Sequence, residues 1–243
     1  MDWQTLSTYE HAEQSNKAAL LPIGTLEAHG AGPVGTDNLI PQALCERLSA
    51  RLGMRRLPVM PYGVTSSLLA YPGSCTLSPK LLEEFLVEVG RSLHGNGLRQ
   101  LFVINGHGGN TTALRSAAGR LYQDAGLYTA VFDWWVNADN QPEEFFGEKG
   151  MGHAAIDEMG ALLGLCPELA EAVKRDSLPA YRIRSDVKVY PSPRPILTYR
   201  EGDAEVDFSR LTPERCGRFA DRITVLLESA IQEIRRGWDE MPR

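Results

Sequence analysis

The chain has 243 residues, 43% of them hydrophobic and 23% charged, with a formal net charge of −6. That is long enough to bury a substantial core; the acidic balance argues against a general nucleic-acid or anionic-membrane surface, and no apolar run approaches the ~20 residues that cross a bilayer. Cys45, Cys75, Cys166 and Cys216 lie far apart without a C-x-x-C pair, and Met1-Asp2-Trp3-Gln4 opens no basic-then-apolar leader, so a reducing cytoplasm is the simplest compartment.

Strand-length apolar runs alternate with helical patterns along the chain. Lys17 to Gly24 predicts a buried strand. Asn38 to Leu52 predicts a helix, with Leu39, Ile40, Ala43, Leu44 and Leu48 at helical spacing and Pro41 tolerated in the first turn. Leu57 to Tyr62 predicts a second strand. Ser78-Pro79 is an N-cap followed by proline and opens a helix through Leu82, Phe85 and Val89. Leu98 to Asn105 is a third strand and Thr111 to about Ala125 a helix. Tyr128 to Asp133 is a fourth strand that runs into Trp134-Trp135. Gly152 to Leu165 reads as a helix, and residues 176–210 show little periodicity. Thr212-Pro213-Glu214 caps a last amphipathic helix through Phe219, Ile223, Leu227 and Ile231. Such alternation predicts an α/β fold: a mostly parallel sheet covered by helices on both faces. Without repeats, low-complexity tracts or a linker, residues 1–243 are expected to form a single domain.

In open α/β sheets, ligands sit beyond the carboxyl ends of the strands. Glu27, His29, His107 and Trp134 all follow predicted strands there. The chain has five histidines, and His29, His107 and His153 each stand beside Gly or Ala and near an acidic or amide residue. Imidazole with carboxylate holds divalent metals such as zinc or manganese, and hydrolytic sites leave a position open for water. Glu27, His29, Asp37 and His107 suit that demand. Asp37 has a second reading as the N-cap of the following helix. The glycine-rich turn Gly106–Asn110 could instead cradle phosphate, but it lacks the P-loop Lys-Ser/Thr and the G-x-G-x-x-G spacing. His153 and Glu158 are five residues apart, roughly 140° around a continuous helix. They can share a site only if His153 precedes the helix, a start that Gly150 and Gly152 favour.

Three blocks in order resemble the creatininase (creatinine amidohydrolase) family. Leu21-Pro22-Ile23-Gly24-Thr25-Leu26-Glu27-Ala28-His29-Gly30, with Gly35-Thr36-Asp37, is similar to L-P-x-G-S-x-E-x-H-G followed by [GD]-T-D. Asn105-Gly106-His107-Gly108-Gly109-Asn110 matches N-G-H-G-G-N. His153-Ala154-Ala155-Ile156-Asp157-Glu158 resembles H-A-G-x-x-E-T-S. The likeness runs from about residue 18 to 165. It implies a three-layer α/β/α fold, commonly hexameric, and a centre of two divalent ions, zinc first with manganese or iron as alternatives. Carried onto this sequence, Glu27, His29, Asp37 and His107 become metal ligands, with Asp37 bridging and Glu27 and His29 on different ions. His153 becomes the proton-shuttling catalytic residue.

In creatininase itself a glutamate stands two residues after the second-block histidine. Here that position is Gly109, so Glu158 is expected to take its place as ligand and catalytic residue. Gly108, Trp134 and Trp135 are expected to line the substrate pocket, although the tryptophans could equally cap the strand end.

The implied activity is hydrolysis of a non-peptide C–N bond, a cyclic or linear amide, in a small-molecule substrate. Within the family, deformylation and peptide trimming are alternatives. Outside it, a ligand-binding or assembly protein that kept the fold is another, and a nucleotide-binding module has only the glycine-rich turn in its favour. A homohexamer, with no nucleic acid or membrane as partner, completes the expectation.

Overall fold

The computed structural model describes residues 1–13, 16–136, 141–147, 152–173, 176–184, 186–199 and 205–241. Four strands, β1 (Ala18–Ile23), β2 (Arg55–Arg56), β3 (Gln100–Asn105) and β4 (Tyr128–Asp133), form one parallel sheet in the order β2-β1-β3-β4. Ile23 pairs with Asn105, and Asn105 with Asp133. The carboxyl ends of the three long strands therefore finish level, and the loops that leave them start from one edge.

Side chains alternate across each strand. Ala18, Leu20, Phe102, Ile104 and Phe132 share a core with three helices: α2 (Thr36–Leu52), α6 (Ile156–Leu165) and α7 (Pro213–Asp239). Ala19, Leu21, Ile23, Leu101 and Val103 face the opposite way, into a core with α3 (Pro79–Gly95) and α4 (Thr111–Ala125). The result is the expected three-layer α/β/α arrangement. The short helices α1 (Thr8–Glu13) and α5 (Gln141–Phe146) lie outside that pattern. No described helix is long and apolar enough to cross a membrane.

Local chemistry sets the helix ends. The Ser78 hydroxyl accepts the Leu81 N–H at 3.2 Å ahead of α3, and the Thr212 hydroxyl accepts that of Arg215 at 3.3 Å ahead of α7. Gly126, at φ +70°, ends α4 by donating its N–H to Tyr122.

Two expectations need correction. The predicted second strand at 57–62 is not a regular strand, because β2 stops at Arg56. Leu57 and Met60 still donate to Leu20 and Pro22 of β1 at 2.9 and 3.0 Å, but these donors are three residues apart, off the two-residue period of a regular ladder. Among its described residues, the stretch 176–210 also contains four short strands. β5 (Ser177–Pro179) pairs antiparallel with β8 (Glu205–Asp207), and β6 (Tyr181–Arg182) pairs parallel with β7 (Leu197–Thr198). Strands of two or three residues are too short to show an alternation. Gly150, part of the expected helix start, lies outside the described residues.

Candidate metal centre

Glu27 and His29 lie on the loop leaving β1, and Asp37 is the second residue of α2. His107 follows β3, His153 lies three residues before α6, and Glu158 is in the first turn of that helix. Two glycines let the first turn of α2 close on the strand ends: a Cβ at Gly24 or Gly106 would lie 2.1 or 2.0 Å from the Asp37 carbonyl oxygen. α2 begins after Gly35 without a side-chain cap bond. The Asp37 carboxylate is not spent on the helix end; it faces the loops.

The described residues bring these six side chains together. Asp37 Oδ1 lies 3.0 Å from His29 Nε2, and Asp37 Oδ2 lies 2.9 Å from His107 Nδ1. Glu27 Oε1 is 3.2 Å from His107 Nδ1 and 3.0 Å from His153 Nδ1. Glu158 Oε2 is 3.5 Å from His29 Nε2 and accepts the Ala154 N–H at 2.6 Å. His153 precedes the helix, as the spacing requires. Ala154, at φ +55°, makes the turn between them.

Ligand atoms of Glu27, Asp37 and His107 all fall within 4.8 Å of one another, as do those of His29, Asp37 and Glu158. The two triads share Asp37 through its two oxygens. Glu27, His29 and His153 form a third group by the same measure.

Each imidazole has one nitrogen on a backbone carbonyl: His29 Nδ1 on Glu27 O at 2.9 Å, His107 Nε2 on Val64 O at 2.8 Å, and His153 Nε2 on Ala28 O at 2.7 Å. A carbonyl only accepts, so that nitrogen carries the proton. The other nitrogen of a neutral ring then points a lone pair at a carboxylate oxygen. Lone pairs opposed at this distance need a proton or a cation between them. A carbonyl fixing the far nitrogen is also how ligating histidines are held. The donor set therefore fits divalent ions.

The electrostatics agree. Burial disfavours the charged imidazolium of His29, yet Asp37 and Glu158 outweigh it and raise the pKa well above the ordinary value. Burial likewise opposes charge on His107, and Glu27 and Asp37 reverse it. Burial would raise the Asp37 carboxyl, but His29 and His107 hold it far below the usual carboxylate range. Burial would also raise Glu27, and His107 and His153 lower it. Asp157 moves the other way: burial, and then Glu158, push its carboxyl well above the ordinary range.

Gly109 explains why no glutamate stands there. A Cβ at that position would lie 2.0 Å from Val64 O and 2.5 Å from His107 Nε2. The backbone occupies the space through which a side chain would leave, and Val64 O is the acceptor that orients His107.

A cavity of about 580 Å³ opens onto the cluster, lined by Glu27, His107, His153 and Glu158 at one end and by Lys188, Tyr190 and Tyr199 at the other. Gly108 and Trp135 line it. Trp134 does not: it is fully buried in the core, its ring edge-on to Trp135 with centroids 6.1 Å apart. β4 ends at Asp133 and the two tryptophans sit in the turn that follows, which sends Trp134 into the core and leaves Trp135 on the cavity. Sequence reasoning missed Thr65, whose hydroxyl donates to Glu27 Oε2; a further wall of the cavity comes from Ile183, Lys188, Tyr190, Leu197 and Tyr199. That wall is pinned by Leu197 N–H to His153 O at 2.9 Å and Ser192 N–H to Ser67 O at 2.7 Å. The proline cluster around Pro191 and Pro193 was the available signal for a non-repetitive wall.

The creatinine amidohydrolase (creatininase) family profile matches residues 1–220. Creatinine amidohydrolase of Pseudomonas putida is 29% identical over 63% of this chain and 65% of its own length. The mycofactocin precursor peptide peptidase of Mycobacterium ulcerans (strain Agy99) is 30% identical over 77% of this chain and 73% of its own. A point variant of creatininase, Zn-Zn type, superposes with a TM-score of 0.81 at 22% identity, over 96% of this chain and 97% of that one. The chain thus spans just under two thirds of the Pseudomonas enzyme it matches.

Proposed function

This chain belongs to the creatininase family, and from that premise we propose that it is a metal-dependent hydrolase of an amide C–N bond. The observation that supports the reading most is the pair of triads that share Asp37. Glu27, Asp37 and His107 would hold one divalent ion, and His29, Asp37 and Glu158 the other. Zinc is the first choice, with manganese or iron as alternatives. Bound there, the ions would supply Lewis acidity and bring the pKa of a water from ~16 towards ~7.

The remaining side chains do the positioning and proton work. Thr65 turns Glu27 so that Oε1 faces His107 and His153. The Ala28 carbonyl holds Nε2–H of His153, which leaves Nδ1 to take a proton and pass it to the leaving nitrogen. Trp135 and Gly108 line the cavity over the cluster, where they would contact a bound amide.

The test is a panel of cyclic amides, formamides, linear amides and short peptides incubated with metal-loaded protein and followed by mass spectrometry. Hydrolysis of at least one class is expected, and His153→Ala should abolish turnover while metal content is retained. Fully loaded protein that cleaves none of them would instead favour a ligand-binding protein that kept the fold. The same premise supports a single domain over residues 1–243, a homohexamer and a cytoplasmic setting; a monomer by light scattering would overturn the assembly.

A further inference from the structure

The cavity over the metal centre does not end where the candidate catalytic groups end. A second cavity of about 300 Å³ shares Ser67, Ile183, Lys188, Tyr190, Leu197 and Tyr199 with the first. The two adjoin along that shared wall, and together they fall within the volume range of drug-sized ligand sites. The charge of the combined groove is divided along its length. The deep end carries Glu27, Asp157 and Glu158, with Asp37 behind them. Among the described residues, the section common to both cavities carries one cation, Lys188. Arg184 also borders the outer cavity, but Asp186 engages it at 3.1 and 2.9 Å. Among the described residues Lys188 has no ion-pair or hydrogen-bond partner, so its ammonium is available to a ligand. Tyr190 and Tyr199 flank it with large exposed faces, 67% and 64% accessible. The wall is held in place: Ile183 N–H donates to Thr198 O at 2.8 Å, and the Tyr71 hydroxyl donates to Ser192 O at 2.9 Å.

We propose that the groove selects a linear, peptide-sized amide carrying a free carboxylate, with Lys188 as the residue that reads that carboxylate. This rests on the hydrolase reading above. With both ions bound, their charge offsets the carboxylates of the deep end, while Lys188 gives the shared section a cation of its own, so a substrate carboxylate held there sets the direction of the chain along the groove. The scissile amide then lies over the metal centre, and the tyrosines cover the intervening groups. Because the contact is remote from the reacting bond, it is made alike in ground and transition states and acts on KM.

The experiment uses zinc-loaded full chain and a set of short N-acetylated peptides, each supplied with a free C-terminal carboxylate and as the carboxamide. Wild type is expected to prefer the free acid. Lys188→Met should reduce that preference about tenfold, as for loss of one charge-assisted hydrogen bond, with the change in KM; Lys188→Arg should restore it. Equal turnover of acid and carboxamide by wild type, or a preference that survives Lys188→Met, would overturn the proposal while leaving the hydrolase reading intact. If neither form is cleaved by wild type while a small cyclic amide is, the proposal also fails. No cleavage of any amide would instead refute the hydrolase reading itself.

Discussion

At the scale of single residues, the site depends on groups packed too closely to be exchanged. Gly109→Ala would place a Cβ 2.0 Å from Val64 O. The backbone must move, at a cost of about 1–3 kcal/mol, and the carbonyl that orients His107 moves with it. A lowered melting temperature and reduced metal content are expected; an unchanged protein would show that the turn is looser than the geometry implies. Glutamate at 109 should fare no better, because the side chain has no exit. Thr65→Val removes the donor to Glu27 Oε2 and leaves a buried carboxylate oxygen short of a partner, at about 1–3 kcal/mol. It should weaken metal affinity measurably in a chelator competition, and unaltered affinity would show Thr65 to be a bystander.

The ligand-type residues were legible in the sequence because metal chemistry admits few residue types. Glu27, His29 and His107 announce themselves as carboxylate and imidazole just after strand ends, with Asp37 shortly beyond, whereas His153 and Glu158 stand out through the family block that contains them. Thr65 and Lys188 do not, since threonine and lysine are common and nothing in their spacing marks them. Trp134 and Trp135 were indistinguishable because the strand ends beside them, and only the fold decides which turns inward.

At the scale of elements, the long strands and helices followed from periodicity and caps. Ser78 illustrates how local that information is. Its hydroxyl accepts the Leu81 N–H, and Ser78→Ala is expected to lower stability by about 1 kcal/mol without altering metal content, since α3 lies on the sheet face opposite α2 and α6. A loss of metal in that variant would mean that the two layers are coupled. The second strand was over-read because Leu57–Tyr62 has strand composition, while its bonds to β1 come from Leu57 and Met60, three residues apart and out of step with a regular ladder. The wall at 183–199 was illegible for a different reason. It is built from two-residue pairings and long-range hydrogen bonds such as Leu197 to His153, which leave no periodic trace.

At the scale of the whole molecule, the buried cluster links stability to pH. His29 and His107 have pKa values raised well above 6.5. In chelated protein their contribution is complete below that ordinary value and is lost as the pH rises through the folded-state values. Asp37 is depressed from 3.8, so its contribution is present above that value and is lost as the pH falls through the lower folded-state pKa. The chelated protein should therefore be most stable between those limits, and its melting temperature should decline on the alkaline side. Metal competes with protons for the same nitrogens, so the gap between loaded and chelated protein should widen from about pH 6 to about pH 8.5. A gap independent of pH would contradict protonation of this cluster.

The central claim is that Asp37 joins two triads into one two-ion centre, with Glu158 completing the second. Elemental analysis of purified wild type, Glu158→Gln and Asp37→Ala tests it most directly. Two divalent ions per chain are expected in wild type, one in Glu158→Gln and essentially none in Asp37→Ala. A metal-free wild type with full hydrolytic activity, or metal content indifferent to both substitutions, would contradict it.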